Sequence, residues 1–333
     1  MKVVYFNRKN NYKEQSVEKL FRVLKSTLVK KGVIIEDIEN PYGSGLINLI
    51  RSLFFFKSKE STCVTHVTGQ INFANVLFKD TSRTIITVHD LTLYRNLSYL
   101  RLKIFLIFWV YLPFSRARYI TVISKKSKDE IVKLMPKIES KIVIIPNCLT
   151  TEVYAETIIK KNVVPRVLIV GTRSNKNIER AITSLIGLNI ELTIVGELDK
   201  TQSDLLRNSE VSYKNLTFIS DQKLNEVYDE SDILLFPSLY EGFGLPILEA
   251  QARNVIVITS NIEPLEEVAG GGGILVDPMD DSSIRSGVLQ VLEMSDDEKL
   301  KLLIKGKENI KLYTVDYVAE QYLAIYKELN NDE

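Results

Sequence analysis

Two glutamates separated by seven residues, Glu241 and Glu249, lie in the segment FPSLYEGFGLPILEA, residues 236–250. An apolar strand-like run leads into a loop with Gly242 and Gly244, and Pro246 stands where a helix would begin. Small glycines and the free amides of a helix start let a polar ligand approach the backbone closely. A carboxylate in the first helical turn, the position expected for Glu249, is favoured by the helix dipole and can accept hydrogen bonds from a vicinal diol such as a ribose. Glu241, at the strand end, can address a second hydroxylated group. A structural turn carrying two solvated glutamates is the plain alternative, and it explains less of the combination.

A second constellation is RVLIVGTRSNKNIERAI, which puts Gly171 at a strand end and Arg173 and Lys176 in the short loop that follows. Two cations beside a helix N-terminus suit a pyrophosphate, because Arg binds phosphate oxygens through two parallel N–H groups while Lys supplies a point charge. On its own such a loop is more commonly just solvated and basic; having both constellations at strand ends of one domain favours the ligand site. His89 ends the run TIITVHD and precedes Asp90. It can donate to a sugar hydroxyl or handle a proton, and a structural turn accounts for the pair equally well. His66, at the end of STCVTHV, is similarly placed and is left outside the catalytic set.

These residues need strands to aim them. Short β-branched runs alternate with helix-length segments along the chain, which predicts parallel sheets with crossover helices. The first series reads KVVYFN, VIIEDI, STCVTHV, TIITVHD, YITVIS and KIVIIPN; the second reads RVLIVG, ELTIVG, NLTFIS, DILLFPS, NVIVITS and GGILV. Each series of six is enough for a complete doubly wound sheet, and open α/β sheets bind ligands at the carboxyl ends of their strands. The 333 residues exceed a single core of roughly 100 to 200 residues, so two domains are expected. Leu149 to Pro165 lacks periodicity and marks the junction. Three helical segments follow Asp277, ending in YTVDYVAEQYLAIYKEL.

At this level of detail the chain resembles the retaining nucleotide-sugar glycosyltransferases of family 4. Their E-x7-E motif is matched by Glu241 and Glu249, their diphosphate-binding glycine loop by Gly171, Arg173, Lys176 and Asn177, and their HD by His89 and Asp90. VISKKSKDEI, KIVIIPN and ITSNIEPLEEVAGGGGILVDP are also similar. The resemblance implies an α/β GT-B fold, two Rossmann-like doubly wound domains with a cleft between them. An acceptor-binding domain is expected over 1–155, a nucleotide-sugar-binding domain over 163–312, and a C-terminal helix over 313–333 packing back toward the first domain. It also implies that Glu249 holds the donor ribose, Glu241 faces the transferred sugar, and Gly242, Phe243, Gly244 and Leu245 line the sugar and phosphate pocket. Arg173 and Lys176 would neutralise the leaving nucleoside diphosphate, and His89 would position donor or acceptor. Where the family often has a glycine-rich loop after the first strand, this chain reads NRKNNYKEQS, with Arg8 and Lys9 as cations.

The activity so implied is retaining transfer of a hexose-type sugar from a nucleoside-diphosphate sugar to a saccharide or lipid-linked saccharide acceptor, in polysaccharide or glycoconjugate biosynthesis. An epimerase or hydrolase using the same donor pocket, and a catalytically silent sugar-nucleotide binder, are the competing readings. No D-x-D pair occurs, and neither GSGLIN nor GFGLPI completes a dinucleotide fingerprint. No metal and no cofactor beyond the donor substrate are therefore expected, and a dehydrogenase is disfavoured.

Charge separates the two halves. Residues 1–150 hold 25 Lys and Arg against 11 Asp and Glu, a balance of +14, while the remainder holds 18 against 31, a balance of −13. A basic half implies an anionic partner. No nucleic-acid motif is present, so an anionic membrane surface is preferred. LINLIRSLFFFKSK at 46–59 suits that contact and a core helix packed on a sheet equally well, whereas YLRLKIFLIFWVYLPFSRAR at 99–118, of similar composition, reads better as core. The longest apolar run, Ile104 to Phe114, reaches only about 16 Å as a helix against a hydrocarbon core of roughly 30 Å. Cys63 and Cys148 are far apart and outside any CxxC. The expected location is cytoplasmic, peripheral on the inner face of the membrane.

Overall fold

The computed structural model describes residues 1–8, 16–43, 45–89 and 99–331, without the side chains of 16, 17 and 99–101. Asp90, Lys9 and most of the segment after β1 lie outside the described residues. The chain divides into two compact units, Met1–Thr150 with Thr314–Glu333, and Thr151–Tyr313.

In the first unit six strands, β1 Lys2–Asn7, β2 Ile34–Glu39, β3 Val64–Val67, β4 Thr84–Val88, β5 Tyr119–Val122 and β6 Ile142–Ile144, pair in parallel in the order β2-β1-β3-β4-β5-β6. The side-chain period of two sorts their residues onto two faces. One face presents Val4, Phe6, Ile86, Val88, Ile120 and Val122. Helices α1 Ser16–Lys30 and α2 Leu46–Ser58 follow β1 and β2. Beyond β4 run α3 Tyr99–Phe105, a π-helical stretch Leu106–Tyr111 and α4 Leu112–Arg116, and α5 Lys125–Leu134 follows β5. α2 and the π stretch pack on the first face through Phe56 and Val110, whereas α1 packs on the other face through Leu20, Phe21, Leu24 and Leu28.

The second unit repeats the plan with β7 Arg166–Val170, β8 Glu191–Val195, β9 Ser212–Leu216, β10 Ile233–Phe236, β11 Ile256–Ser260 and β12 Gly273–Val276, all parallel, in the order β12-β11-β10-β7-β8-β9. Its helices are α6 Ile178–Leu185, α7 Lys200–Asn208, α8 Asp221–Glu230, α9 Leu245–Ala252, α10 Leu265–Ala269, α11 Asp281–Glu293 and α12 Asp296–Asn309. The strand expected at NLTFIS is displaced. β9 is SYKNL, an edge strand with little burial, and Phe218 beyond it is exposed at positive φ. The apolar pattern misled there because this edge strand has no buried face to record.

α13 Val315–Asn331 follows the second unit in sequence but belongs to the first. It lies with α1 on the second face of the first sheet, where Tyr322, Leu323 and Tyr326 join Tyr5 and Phe21 in one core. Polar groups stitch it down: the Tyr5 and Tyr326 hydroxyls share a hydrogen bond of 2.5 Å, and Tyr326 Oη meets His66 Nδ1 at 2.6 Å. His66 Nε2 lies 2.6 Å from Thr87 Oγ1, which in turn meets Thr121 Oγ1 and Tyr322 Oη. His66 is thus a satisfied core residue, and burial pushes its pKa down to about 3, with Lys25 and His89 acting in the same direction.

Candidate active site

The second sheet reverses direction between β7 and β10, since β8 and β9 lie outward of the one and β11 and β12 outward of the other. Crevices beyond the carboxyl ends of strands at such a point are where open α/β sheets take ligands. Both sequence constellations emerge there. β7 delivers Gly171 and then a 3-10 turn, Ser174–Lys176; β10 delivers the loop that carries Glu241 to the start of α9.

Lys176 Nζ donates to Glu241 Oε1 at 2.6 Å, joining residues 65 positions apart. The same ammonium sits 4.3 Å from the centroid of the Phe236 ring, so carboxylate and ring quadrupole both hold it in place. Asn175 completes the junction, its Nδ2 reaching the Tyr240 carbonyl at 2.9 Å and Glu241 Oε1 at 3.2 Å. Gly171 adopts φ +89°, and a Cβ there would fall 2.9 Å from Lys176 Cε, so only glycine lets the lysine lie back across the strand end. Arg173 is exposed at the head of the turn. Asn177 is buried in a left-handed conformation at the start of α6, and its amide donates to the carbonyls of Pro237 and Pro278. It fastens the loop, with its side chain committed to the scaffold.

Across the loop, Gly244 caps α9 at φ +126°, and a Cβ would meet Leu265 Cδ2 at 2.9 Å. Gly242 and Leu245 are half-buried, and Phe243 turns inward against Tyr313 at 5.9 Å between ring centroids. Glu249 is the fifth residue of α9, so it stands in the second turn and not, as expected, in the first. Pro246 occupies the first turn instead, and dipole stabilisation of Glu249 is correspondingly weaker. A side chain holds the carboxylate: Tyr228 Oη, on α8, donates to Glu249 Oε2 at 2.8 Å. Burial, reinforced by the glutamate, raises the Tyr228 pKa well above its ordinary value, so the phenol remains a donor.

Next to this pair, Arg253 is buried and binds both Asp229 oxygens through Nη1, at 2.6 and 2.7 Å. Adjacent residues of α8 therefore grip two points four residues apart on and just beyond α9. Neither Tyr228 nor Asn175 was singled out from sequence. An aromatic on the apolar stripe of a helix reads as core, and the Asn in TRSNKN resembles an ordinary turn residue.

In the first unit, His89 follows β4, buried, with its ring perpendicular to Phe21 at 5.7 Å between centroids. The switch point of that sheet lies between β1 and β3. At the carboxyl ends of these strands is a cavity of about 350 Å³. Charges of both signs line it: Arg8 with Glu18 at 2.5 Å, and Lys25 with Asp37 at 2.5 Å, beside Arg22 and Glu39. Among the described residues no group of three His, Cys, Asp or Glu side chains is placed to hold a metal ion.

The chain is similar to known proteins in sequence and in fold. Residues 155–310 match the family model of glycosyl transferases group 1. The O-antigen chain mannosyltransferase RfbU of Salmonella typhimurium is 29% identical over 257 residues, 74% of this chain and 69% of the relative. O-antigen chain mannosyltransferase B of Escherichia coli is 35% identical over 112 residues, 34% of this chain but only 29% of its own length. The structure of sucrose-phosphate synthase from Thermosynechococcus elongatus superposes with a TM-score of 0.76 at 17% identity, covering all of both chains. These matches support a glycosyltransferase. The two parallel six-stranded units have the α/β GT-B fold. The family match falls on the second unit, so the Lys176–Glu241 junction and Glu249 all lie within it.

Proposed function

We propose that the protein transfers a hexose, with retention at the anomeric carbon, from a nucleoside-diphosphate sugar to a saccharide or lipid-linked saccharide acceptor in the cytoplasm. A mannosyl donor is the first choice because both curated relatives described above are named mannosyltransferases. The observation that carries this reading is the convergence of Lys176 and Glu241 at 2.6 Å at the switch point of the second sheet.

In this reading Glu249, oriented by Tyr228, binds the ribose diol, while Gly242, Phe243, Gly244 and Leu245 line the sugar and phosphate groove with backbone amides. Arg173 and Lys176 take the diphosphate, and the backbone at Gly171 allows its close approach, with Asn177 as the anchor of that loop. Lys176 is held by Glu241 until a phosphate competes for it. When it turns to the phosphate, Glu241 is released toward the sugar hydroxyls, so one event readies both partners. Charge that builds on the departing diphosphate is met by fixed cations, which lowers the barrier without a divalent ion. The acceptor attacks from the face the diphosphate leaves, and a phosphate oxygen takes the acceptor proton as the new glycosidic bond forms. His89 positions donor or acceptor from the first unit, and the mixed-charge cavity beyond β1 and β3 is offered to the acceptor.

Calorimetric titration with UDP, GDP, ADP and TDP in the presence of a chelator tests the donor site. Selective binding of one diphosphate, weakened in Glu249→Ala and Lys176→Ala, is expected. Equal failure of all four diphosphates with folded protein overturns it.

A further inference from the structure

α2 is apolar both on the side it buries and on a side it exposes. Leu49, Leu53 and Phe56 are buried against the first sheet, as the core requires. On the outer side Leu46 is 67% exposed, Ile47 68%, Ile50 48% and Phe54 66%, with Arg51 exposed among them. A helix that had only to cover a sheet would carry polar residues at these positions.

A second row continues the feature. From α3 through the π stretch to the start of α4, Ile104, Ile107, Tyr111 and Leu112 are exposed at helical spacing, beside exposed Lys103. The two rows flank one anchor, Phe73, whose ring packs against Phe56 of α2 at 6.4 Å and against Trp109 of the π stretch at 4.8 Å. Both helical segments therefore cover the same side of the sheet and turn their outer residues away from it.

Charge supplies the complement. Residues 46–59 and 99–118 contain seven Lys and Arg and no Asp or Glu, within a half of the chain that carries +14. Lys57 is paired with Glu60 at the margin, while Arg51 and Lys59 stand exposed on α2 and beside its end. No helix among the described residues is long and apolar enough to cross a membrane. Exposed aliphatic and aromatic residues interleaved with cations suit the boundary between acyl chains and anionic headgroups.

We infer that the outer face of α2, with the exposed row of the 103–112 segment, docks the first unit on an anionic lipid bilayer. Leu46, Ile47, Ile50 and Phe54 enter the headgroup–acyl boundary, and Arg51, Lys59 and Lys103 meet the phosphates. This assignment is independent of glycosyl transfer and is measured without turnover.

The test is cosedimentation of the full chain with phosphatidylcholine vesicles, with and without about one-third phosphatidylglycerol, at low and high salt. Binding is expected only on the anionic vesicles and should fall as salt rises. With about 1 kcal/mol per cation near such a surface, Arg51→Glu with Lys59→Glu lowers partitioning by at least about 25-fold. Ile47→Ser with Phe54→Ser lowers it by about 10-fold or more. Both pairs are exposed, so an unchanged thermal transition and unchanged diphosphate affinity are expected. Equal binding to neutral and anionic vesicles, or binding indifferent to both variants, overturns the inference. So does a concentration-dependent dimer in sedimentation, abolished by Phe54→Ser, without vesicle binding, because a second copy of the chain would then be the occupant.

Discussion

The two units share an architecture and differ in where their chemistry is written. In the second, the residues at the sheet's switch point come from two short stretches, Gly171–Asn177 and Glu241–Glu249, each following one strand. In the first, the corresponding crevice draws on Arg8 after β1, Asp37 and Glu39 in β2, and Arg22 and Lys25 on α1. Strand order explains part of the contrast. At β7 and β10 the glycines and the ion pair sit in the turns themselves, whereas the first unit assembles its cavity from side chains on separate elements. A site concentrated in two turns tolerates little change in them, while a distributed one can be altered a residue at a time. On the proposed reading the second unit takes the donor, and the first offers the acceptor and lipid surfaces.

The sharpest way to break that division is at the ion pair. Lys176→Ala and Glu241→Ala should each lower kcat by about 100- to 1,000-fold. Only Lys176→Ala should also weaken nucleoside-diphosphate binding strongly, a difference that calorimetry checks alongside initial rates. Equal diphosphate affinity in Lys176→Ala and wild type would remove the donor from the second unit. Next in size is Arg253→Ala, which removes a buried guanidinium and leaves Asp229, itself part-exposed, without it; this should destabilise the second unit by about 1.5 to 3 kcal/mol in denaturant unfolding. Tyr228→Phe removes one hydrogen bond to a carboxylate and keeps the ring. Diphosphate-sugar KM should rise about tenfold with kcat nearly unchanged and the melting temperature little altered; a fall in kcat alone would deny Tyr228 its positioning role.

For the first unit the expected effect is on stability against pH. His66 is neutral when folded, with a pKa near 3, and ordinary when unfolded, near 6.5. Below pH 6.5 the unfolded chain takes up a proton that the native state refuses. Stability should therefore fall by up to about 1.4 kcal/mol per pH unit from 6.5 toward 3, and not above 6.5. His66→Gln should flatten this acid limb in urea titrations at several pH values. The smallest effect belongs to chelation: EDTA should leave the transfer rate unchanged, and restoration by added Mg²⁺ or Mn²⁺ would sink the reading that Lys176 and Arg173 replace a divalent ion.

How far the molecule could be read from its sequence follows the same contrast. All twelve strands announced themselves as β-branched runs, except that β9, unburied on its edge, was placed a few residues late. The placement of Gly171, Lys176, Glu241 and Gly244 in turns at strand ends was legible because glycines and charged residues directly after an apolar strand mark a turn. Glu249 was found but assigned to the wrong turn, since spacing alone does not say whether Pro246 is the first or second residue of its helix. Tyr228 was invisible, because a buried phenol that orients a carboxylate has the same local pattern as a buried phenol that fills space. The outer face of α2 was ambiguous for a related reason: a run such as LINLIRSLFFF is apolar all round, and only burial shows which residues the core does not use.

The return of α13 to the first unit bears on how the protein is made. Tyr322 and Tyr326 complete the core around Tyr5 and His66, yet they are synthesised after the whole of Thr151–Tyr313. During translation the second unit can close on itself while the first waits with one sheet face covered by α1 alone and His66 without its phenol. The first unit is finished after the second, so a ribosome that stalls within Thr314–Asn331 leaves a sound second unit attached to an unfinished first one, and quality control would act on the N-terminal half of the chain.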